Sequence, residues 1–235
     1  IRKSLVGSEM CIRDRFISTN FLIKVSFSNY LKIRNKIPSN VNILAVSKGS
    51  KSQEIKTIHN LGQNDFGESK YQEAFEKQLI LKDLKQIKWH FIGRIQSNKI
   101  RKIVQNFKYI HSVDSFEKLQ KISRISYEEK KNPYIMLQVK LSDDPSKGGF
   151  EPDLLISKWS EIQELKNITL KGLMTINPRG LSSNENSELF KKCRSLADSL
   201  QLSDCSMGMS GDWEEAIDSG STWLRLGSLI FGDRS

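Results

Sequence analysis

A lysine follows directly on a run of apolar residues in the stretch ILAVSKGS, residues 43–50. Such a run is typical of a buried strand, so we expect the side chain of Lys48 to lie in a dry interior. An amine in a dry environment is shifted toward its neutral form, and the neutral amine is the form that attacks a carbonyl carbon. The chemistry predicted at this position is therefore a Schiff base between Lys48 and an aldehyde.

Two glycine-containing stretches near the carboxyl end of the chain offer unhindered backbone N–H groups. The first is SMGMSGDW, which contains Ser210 and Gly211, and the second contains Gly227 and Ser228. Backbone N–H groups and hydroxyls can bind an anion without a charged side chain. These four residues predict a phosphate site, although two ordinary glycine turns would have the same composition.

A lysine that faces a phosphate site suggests a phosphorylated aldehyde as the ligand. Pyridoxal 5′-phosphate (PLP) is the commonest such molecule, and a sugar phosphate in a Schiff-base aldolase is the alternative. Arg225 favours PLP, because a guanidinium donates a hydrogen bond to a pyridine nitrogen but does not give up its proton. An aldolase would leave this arginine and the MGMS loop without a specific role.

Short apolar or β-branched runs alternate with lysine- and glutamate-rich stretches from residue 41 onward. The stretches between them have helical spacing, as in Ile55, Ile58 and Leu61. The predicted strands are VNILAVS, NDFGE, KWHFIG, KYIHSV, YIMLQVKL, ITLKGLMTI, DCSMGMS and TWLRLGSLIF. This alternation of strand and helix predicts a parallel sheet and the α/β fold class.

The number of strand–helix units in a chain of 235 residues predicts a single closed (β/α)8 barrel, the TIM-barrel fold. An open doubly wound sheet is the alternative, but SKGSKSQE after the first strand lacks its glycine fingerprint. The carboxyl ends of barrel strands meet at one mouth, where a phosphate often binds after strands 7 and 8. The predicted strand ends carry Lys48, Glu68, Ser69, Gly93, Arg94, Asp114, Lys140, Arg225 and Gly227.

The helix after predicted strand 7 has recognisable start and stop signals. Asp212 is followed three positions later by Glu215, which predicts a capping box, and Gly220 predicts the helix end. We expect the backbone N–H groups at this helix start to point outward, toward an anion.

Histidines and methionines within the predicted strands have a structural interpretation. His90 and His111 lie in predicted strands 3 and 4, where a histidine is more often a hydrogen-bonded interior residue than a catalyst. Met174, Met207 and Met209 are predicted to pack in the barrel near the ligand, without a metal role.

Composition narrows the classes of partner. The chain has 37 Lys+Arg and 27 Asp+Glu, a formal charge of +10, but its lysines are scattered and no recognition motif accompanies them. We therefore expect anionic ligands and no nucleic-acid partner. No apolar stretch approaches the roughly 20 residues of a membrane span. Cys11, Cys193 and Cys205 are too few for a disulfide framework, which predicts a cytoplasmic location.

Seven motifs between residues 41 and 234 resemble, in order, those of the pyridoxal phosphate homeostasis protein family. They are AVSK, FGES-YQE, WHFIG-IQSNK, HSVDS, SKGG, GLMTI and SMGMSGDWEEAIDSGSTWLRLGSLIFG. The resemblance implies a fold-type III barrel, like the N-terminal domain of alanine racemase, with PLP attached to Lys48. It also implies that Ser210 and the Gly227–Ser228 backbone hold the phosphate, and that Arg225 faces the ring nitrogen.

The sequence departs from the family pattern at three places. Ser69 stands where the family usually has Asn, and its side chain is shorter. Arg94 occupies a position where proline or a small residue is common, and the chain stops at Ser235, a few residues earlier than expected. The first two departures concern ligand preference, and we keep Ser69 among the predicted cofactor-binding residues.

The function that the resemblance implies is buffering and delivery of PLP rather than turnover. The alternative is a PLP-dependent racemase or another weak amino-acid-transforming enzyme, which would need a second acid/base opposite the lysine. In alanine racemase that group is a tyrosine supplied with an additional β domain, which we do not expect because the chain stops shortly after predicted strand 8. The implied partners are PLP, free amino acids and PLP-requiring apo-enzymes, and a monomer is expected.

The first 15 residues, IRKSLVGSEMCIRDR, have no periodic pattern and resemble translated sequencing-adapter read-through. A basic targeting peptide would have an apolar core and a cleavage signal, which this segment lacks. We expect residues 1–15 to be a non-native or disordered segment and residues 16–235 to form a single PLP-binding barrel domain.

Overall fold

The computed structural model describes residues 26–142, 144 and 148–232. The expectation for residues 1–15 therefore lies outside the described residues. No helix in the described part of the chain is both long enough and apolar enough to cross a membrane.

Eight parallel strands close into a barrel in chain order, and the last strand pairs with the first. The strands are β1 (Asn42–Val46), β2 (Asp65–Glu68), β3 (Lys88–Phe91), β4 (Tyr109–Val113), β5 (Tyr134–Gln138), β6 (Thr169–Met174), β7 (Asp204–Ser206) and β8 (Trp223–Leu226). Each lies within one of the predicted runs, and the closure confirms the (β/α)8 barrel over the open sheet.

Helices precede β1, follow β8 and connect the consecutive strands of the barrel. They are α1 (residues 26–34), α2 (Ser52–His59), α3 (Tyr71–Ile80), α4 (Ile100–Asn106), α5 (Phe116–Glu128), α6 (Pro152–Ser157), α7 (Trp159–Gln163), α8 (Ser183–Ser199), α9 (Trp213–Asp218) and α10 (Ser228–Phe231). Two short helices, α6 and α7, share the connection between β5 and β6.

Helix α5 illustrates why these segments fold as they do. Its N-cap residue Ser115 accepts a hydrogen bond from the Lys118 N–H at 3.4 Å, which satisfies one of the free amides at the helix start. Leu119, Ile122 and Ile125 recur at helical spacing and are all buried. Removing each such side chain from water stabilises the fold by about 1.5–3 kcal/mol.

The interior of the barrel differs from the apolar layer between strands and helices. A small cluster of Leu44, Met136, Met174 and Trp223 packs separately from the main core. Polar residues share the interior, because the hydrogen bond between His111 on β4 and a serine on β7 joins strands that are not neighbours.

The apolar run TWLRLGSLIF contains both strand 8 and a helix, and the strand ends next to Arg225 and Gly227, as predicted. The strand ends at Leu226, and Ser228–Phe231 form α10 with Gly227 as its N-cap residue. Ile230 and Phe231 are buried, as expected of an apolar run, but they are buried from a helical turn. A short apolar run does not by itself separate a strand from a buried helix.

The predicted capping box at Asp212 is wrong. Asp212 is the N-cap residue of α9, but its side chain makes no cap hydrogen bond and instead accepts from the Met209 N–H at 2.6 Å. The carboxylate is thus used to close the turn before the helix. The predicted end holds, since α9 ends at Asp218 and Gly220 follows in the left-handed region with φ of 84°.

Candidate functional site

All seven residues predicted to bind the ligand line one cavity of about 460 Å³ at the carboxyl ends of the strands. They are Lys48, Ser69, Ser210, Gly211, Arg225, Gly227 and Ser228. Val46, Ile92, Met174, Ile176, Met209 and Gly232 complete its walls. A cavity of this size with apolar walls and a few convergent polar groups is typical of a small-molecule site.

Lys48 lies in the loop between β1 and α2, two residues beyond the strand end at Val46. Its side chain is exposed at the cavity mouth, and it has no hydrogen bond or ion pair with any described residue. The expectation of a dry interior around this amine is therefore wrong. Because the strand ends two residues before the lysine, the amine lies at the open mouth of the cavity and not in the packed interior.

Ser69 lines the cavity from a loop that closely approaches the loop after β3. It directly follows β2, and its carbonyl oxygen would lie 1.9 Å from a Cβ placed on Gly93 in the loop after β3. Only glycine fits there. Arg94 follows it but lines a neighbouring cavity of about 480 Å³, which shares Ser69 as a wall residue.

The two glycine-containing loops form one continuous rim of the cavity. Ser210 and Gly211 follow β7, while Gly227 and Ser228 follow β8. The Leu229 N–H donates to the Ser210 hydroxyl oxygen at 3.4 Å and joins the two loops. Hydroxyls and backbone amides therefore converge on one side of the cavity, as predicted for a phosphate.

Gly208 is required for the turn that presents this rim. Its φ is 90°, and a Cβ there would lie 2.5 Å from the Ala216 Cβ and 2.8 Å from Leu224 Cδ2. Its carbonyl accepts a hydrogen bond from the Arg225 N–H at 2.9 Å, which ties the loop to β8. A larger residue would displace the loop from the strand.

Arg225 is buried and held by its neighbours on both sides. Its Nη1 donates to the Ser206 carbonyl and, at 3.1 Å, to the Ser206 hydroxyl, and its Nη2 donates to the Thr175 carbonyl at 2.8 Å. Burial lowers the pKa of Arg225 to about 10, opposed mainly by the charge of Asp212. The guanidinium remains a cation at neutral pH and can only donate.

A chain of hydrogen bonds runs from Arg225 through the barrel interior to the opposite end. His111 Nδ1 lies 3.0 Å from the Ser206 hydroxyl, and its Nε2 lies 2.9 Å from His90 Nδ1. His90 Nε2 lies 3.0 Å from a carboxylate oxygen of Asp65, which begins β2. Both histidines are fully buried and hydrogen-bonded, as predicted.

The two ends of this chain set the proton positions between them. Burial lowers the pKa of His90, against the influence of Asp65, and lowers that of His111 well below its ordinary value. Both rings are therefore neutral at pH 7. Since Asp65 only accepts and Arg225 only donates, each ring carries its proton on Nε2 and the Ser206 hydroxyl donates to His111.

Three other predicted strand-end residues lie away from the cavity. Glu68 is fully buried and contacts Lys77 on α3, Asp114 pairs with Lys118, and Lys140 pairs with Glu151. Sequence reasoning also missed the residues that hold Arg225, because no local pattern marks Thr175 or Ser206. In the described part of the chain, no three His, Cys, Asp or Glu side chains are grouped as a metal site requires.

Comparison with known proteins identifies relatives over most of the chain. The family model for the alanine racemase N-terminal domain matches residues 27–235. A protein of Synechocystis sp. named pyridoxal phosphate homeostasis protein is 43% identical over 213 residues, 88% of this chain and 98% of the relative. PipY of Synechococcus elongatus PCC7942, solved with PLP bound, is 38% identical with a TM-score of 0.85, covering 88% of this chain and all of PipY.

A more distant structure shows the fold alone. Alanine racemase of Clostridium difficile 630 has a TM-score of 0.74 at 14% identity, over 90% of this chain and 56% of the racemase. The barrel is thus shared with a much longer protein, while the homeostasis proteins match nearly end to end. The chain belongs to the pyridoxal phosphate homeostasis protein family, and its barrel is that of the alanine racemase N-terminal domain.

Proposed function

We propose that this protein binds PLP, buffers its free concentration and delivers it to other proteins. The observation that carries the proposal is the convergence of Lys48, the two glycine-containing loops and Arg225 on one cavity. The names of the relatives support it, since one is a pyridoxal phosphate homeostasis protein and PipY was solved with PLP bound.

In this proposal Lys48 holds the cargo covalently and reversibly. The amine of Lys48, after losing a proton to water, would add to the aldehyde carbon, and loss of one water molecule would leave a C=N double bond, the Schiff base. Addition of water reverses the step and frees both the aldehyde and the amine. The exposure of Lys48 at the open mouth suits this exchange, because water and competing amines can reach the bond.

The rim and Arg225 would hold the two ends of the ligand. Hydroxyls of Ser210 and Ser228, with backbone N–H groups of Gly211 and Gly227, are suited to a phosphate dianion. Arg225 is suited to the ring nitrogen, to which it can donate but not release a proton. PLP supplies an electron sink when bound, and that sink is strongest when a carboxylate protonates the ring nitrogen.

The lining residues favour a carrier over a racemase. Among the described residues that line the cavity there is no carboxylate, tyrosine or histidine. A racemase would need a second acid/base group opposite the lysine, and strong carbanion chemistry would need a proton on the ring nitrogen. Lys48 alone supports exchange.

The test begins with the absorbance spectrum of the purified protein mixed with PLP. We expect a Schiff-base band that disappears in Lys48→Ala and persists in Lys70→Ala, a control at an exposed lysine of the neighbouring cavity. Borohydride reduction followed by mass spectrometry should label Lys48. Label confined to another lysine would contradict the site.

Two experiments on the protein loaded with PLP then distinguish delivery from catalysis. Incubation with a PLP-requiring apo-enzyme should restore that enzyme's activity, while α-proton exchange of added amino acids in deuterated water should stay near the rate with free PLP. Rapid, stereospecific deuterium incorporation that depends on Lys48 would make the protein a racemase-like enzyme instead.

We further propose that the protein is a cytoplasmic monomer with no nucleic-acid partner, and that free amino acids exchange with Lys48. Cys193 and Cys205 support a reducing compartment, because both are free thiols in the buried core. Light scattering of the loaded and unloaded protein tests the monomer, and a mass twice that of the chain would contradict it.

A further inference from the structure

A buried charged cluster lies behind the loop that carries Lys48. Lys77 on α3 donates from Nζ to Glu68 Oε1 at 2.8 Å, to Glu73 Oε1 at 2.6 Å and to the Ser47 carbonyl at 2.6 Å. Three donors are the full capacity of an ammonium group. The side chains of Lys77 and Glu68 are only 7% and 0% exposed.

This cluster fixes the peptide units on both sides of Lys48. Before the lysine, Lys77 holds the Ser47 carbonyl, and the Ser47 hydroxyl donates to Glu68 at 2.6 Å. After the lysine, the Gly49 N–H donates to Glu73. Gly49 has φ of 74°, so the chain turns sharply at the residue that Glu73 holds.

Stability alone is a weak reason for such a cluster. Burying an ion pair costs desolvation that its attraction often only balances, and apolar replacements of equal volume can be as stable. Burial raises the pKa of Glu68, with Lys77 opposing, and Glu68 Oε2 has no hydrogen-bond partner among the described residues. The cluster therefore retains a cost that apolar packing would avoid.

Backbone control matters at Lys48 because its side chain has no partner of its own. Reaction with a bound aldehyde depends on holding the amine within reach of the carbonyl carbon, and loose placement lowers the rate. The rim residues hold the other end of the ligand, so the position of the β1–α2 loop sets the distance between amine and aldehyde.

We infer that Lys77, Glu68 and Glu73 form a positioning clamp for the nucleophile of the proposed Schiff base. These residues do not line the Lys48 cavity, and they act on the reaction through the backbone of Ser47 and Gly49. The inference rests on the proposed function, because it assigns the clamp to the reaction of Lys48 with PLP.

The test compares covalent with non-covalent binding in the full chain. The double variant Glu68→Gln/Lys77→Met removes the ion pair as a unit. Glu73→Gln keeps that pair and removes only the negative charge of the partly exposed side chain that accepts from both the Gly49 N–H and Lys77, which weakens both hydrogen bonds. Lys82→Met, at an exposed lysine just beyond α3, is the matched control. PLP reports the rate of Schiff-base formation, and pyridoxine 5′-phosphate, which lacks the aldehyde, reports binding to the rim and to Arg225.

We expect the rate of Schiff-base formation to fall about tenfold in the double variant and about threefold in Glu73→Gln. The dissociation constant of pyridoxine 5′-phosphate should change by less than about twofold, because the rim is untouched. Amide hydrogen exchange at Gly49 should become faster in Glu73→Gln than in Lys82→Met. If the double variant does not fold, Glu73→Gln decides, since it keeps the buried pair.

The outcomes separate the clamp from the function on which it rests. A wild-type protein without a Lys48-dependent band would overturn the proposed function and this inference together. A wild-type band with unchanged rates in the variants would overturn the clamp alone. Equal losses of Schiff-base formation and of pyridoxine 5′-phosphate binding would also overturn it, by showing general damage to the mouth.

Discussion

Lys48 and Arg225 line the same cavity but are held in opposite ways. Arg225 is buried on a strand and donates to Ser206 and Thr175, whereas Lys48 is exposed on a loop and is held only through its backbone neighbours. A group that must stay in one position is built into the barrel wall. The group that we propose forms and breaks a bond lies beyond the strand, where water and other amines have access.

The largest expected effect comes from removing the exposed amine of Lys48. Lys48→Ala should abolish the Schiff-base band because no other described lysine lines the cavity. Pyridoxine 5′-phosphate should still bind, since the rim and Arg225 remain. A PLP adduct that borohydride still reduces in Lys48→Ala would show that Lys48 is not the covalent group, and the proposed contrast with Arg225 would fail.

Replacing the buried Arg225 should lower the stability of the fold instead. Arg225→Met removes the guanidinium donors to the buried carbonyls of Ser206 and Thr175. The Ser206 carbonyl still accepts from the Thr175 N–H, and we expect a loss of about 3 kcal/mol in the free energy of unfolding. Urea denaturation measures it. Arg101→Met is the control, because Arg101 on α4 is half exposed and pairs with Glu128 and Glu129 at the end of α5, and it should change stability little. Equal losses would show that the burial of Arg225 is not what matters.

A double variant of the rim tests whether the rim binds the phosphate of the ligand. Ser210→Ala combined with Gly227→Val should weaken retention of the phosphorylated ligand by at least about tenfold, since each donor to a dianion contributes about 1.5–3 kcal/mol. Equilibrium dialysis with pyridoxine 5′-phosphate measures the loss. If unphosphorylated pyridoxal bound the wild type as tightly as PLP, the rim would have no phosphate role.

A further expected effect is on the pH dependence of stability. Burial depresses the pKa of both His90 and His111, so below about pH 6.5 the unfolded chain takes up protons that the folded barrel does not. Stability should therefore fall as the pH falls from 7 to 5, by up to about 1.4 kcal/mol per pH unit for each histidine.

The control for this dependence replaces the histidines separately. His111→Gln should flatten the decrease measured by urea denaturation at a series of pH values, whereas His59→Gln, at a helix on the barrel surface, should leave it unchanged. An unaltered pH profile in His111→Gln would show that the buried histidines do not cause the loss of stability at low pH.

The barrel and the lining of its cavity could be predicted because both follow from local patterns. Strand–helix alternation fixes the fold, and the fold then brings every strand end to one mouth, so Lys48 and Ser210 are neighbours despite their distance in sequence. The exposure of Lys48 could not be predicted, because it depends on where β1 stops. Asp212 was misassigned because its carboxylate had a nearer donor, the Met209 N–H.

The contacts that support the site could not be predicted from the sequence for a different reason. Lys77 meets the Ser47 carbonyl across 30 positions, and His111 meets Ser206 across 95. Neither pair has a spacing that a helix or strand would impose, so only the closed barrel shows them together. The residues that line the cavity can thus be predicted from the sequence more readily than the residues that support them.

Closure of the barrel between β8 and β1 leaves every strand of the sheet hydrogen-bonded on both sides. An open sheet would present a row of unpaired amides and carbonyls, onto which an extended segment of another protein can add as a further strand. The closed barrel therefore offers no sheet edge to which the recipient proteins of the proposed delivery could adhere.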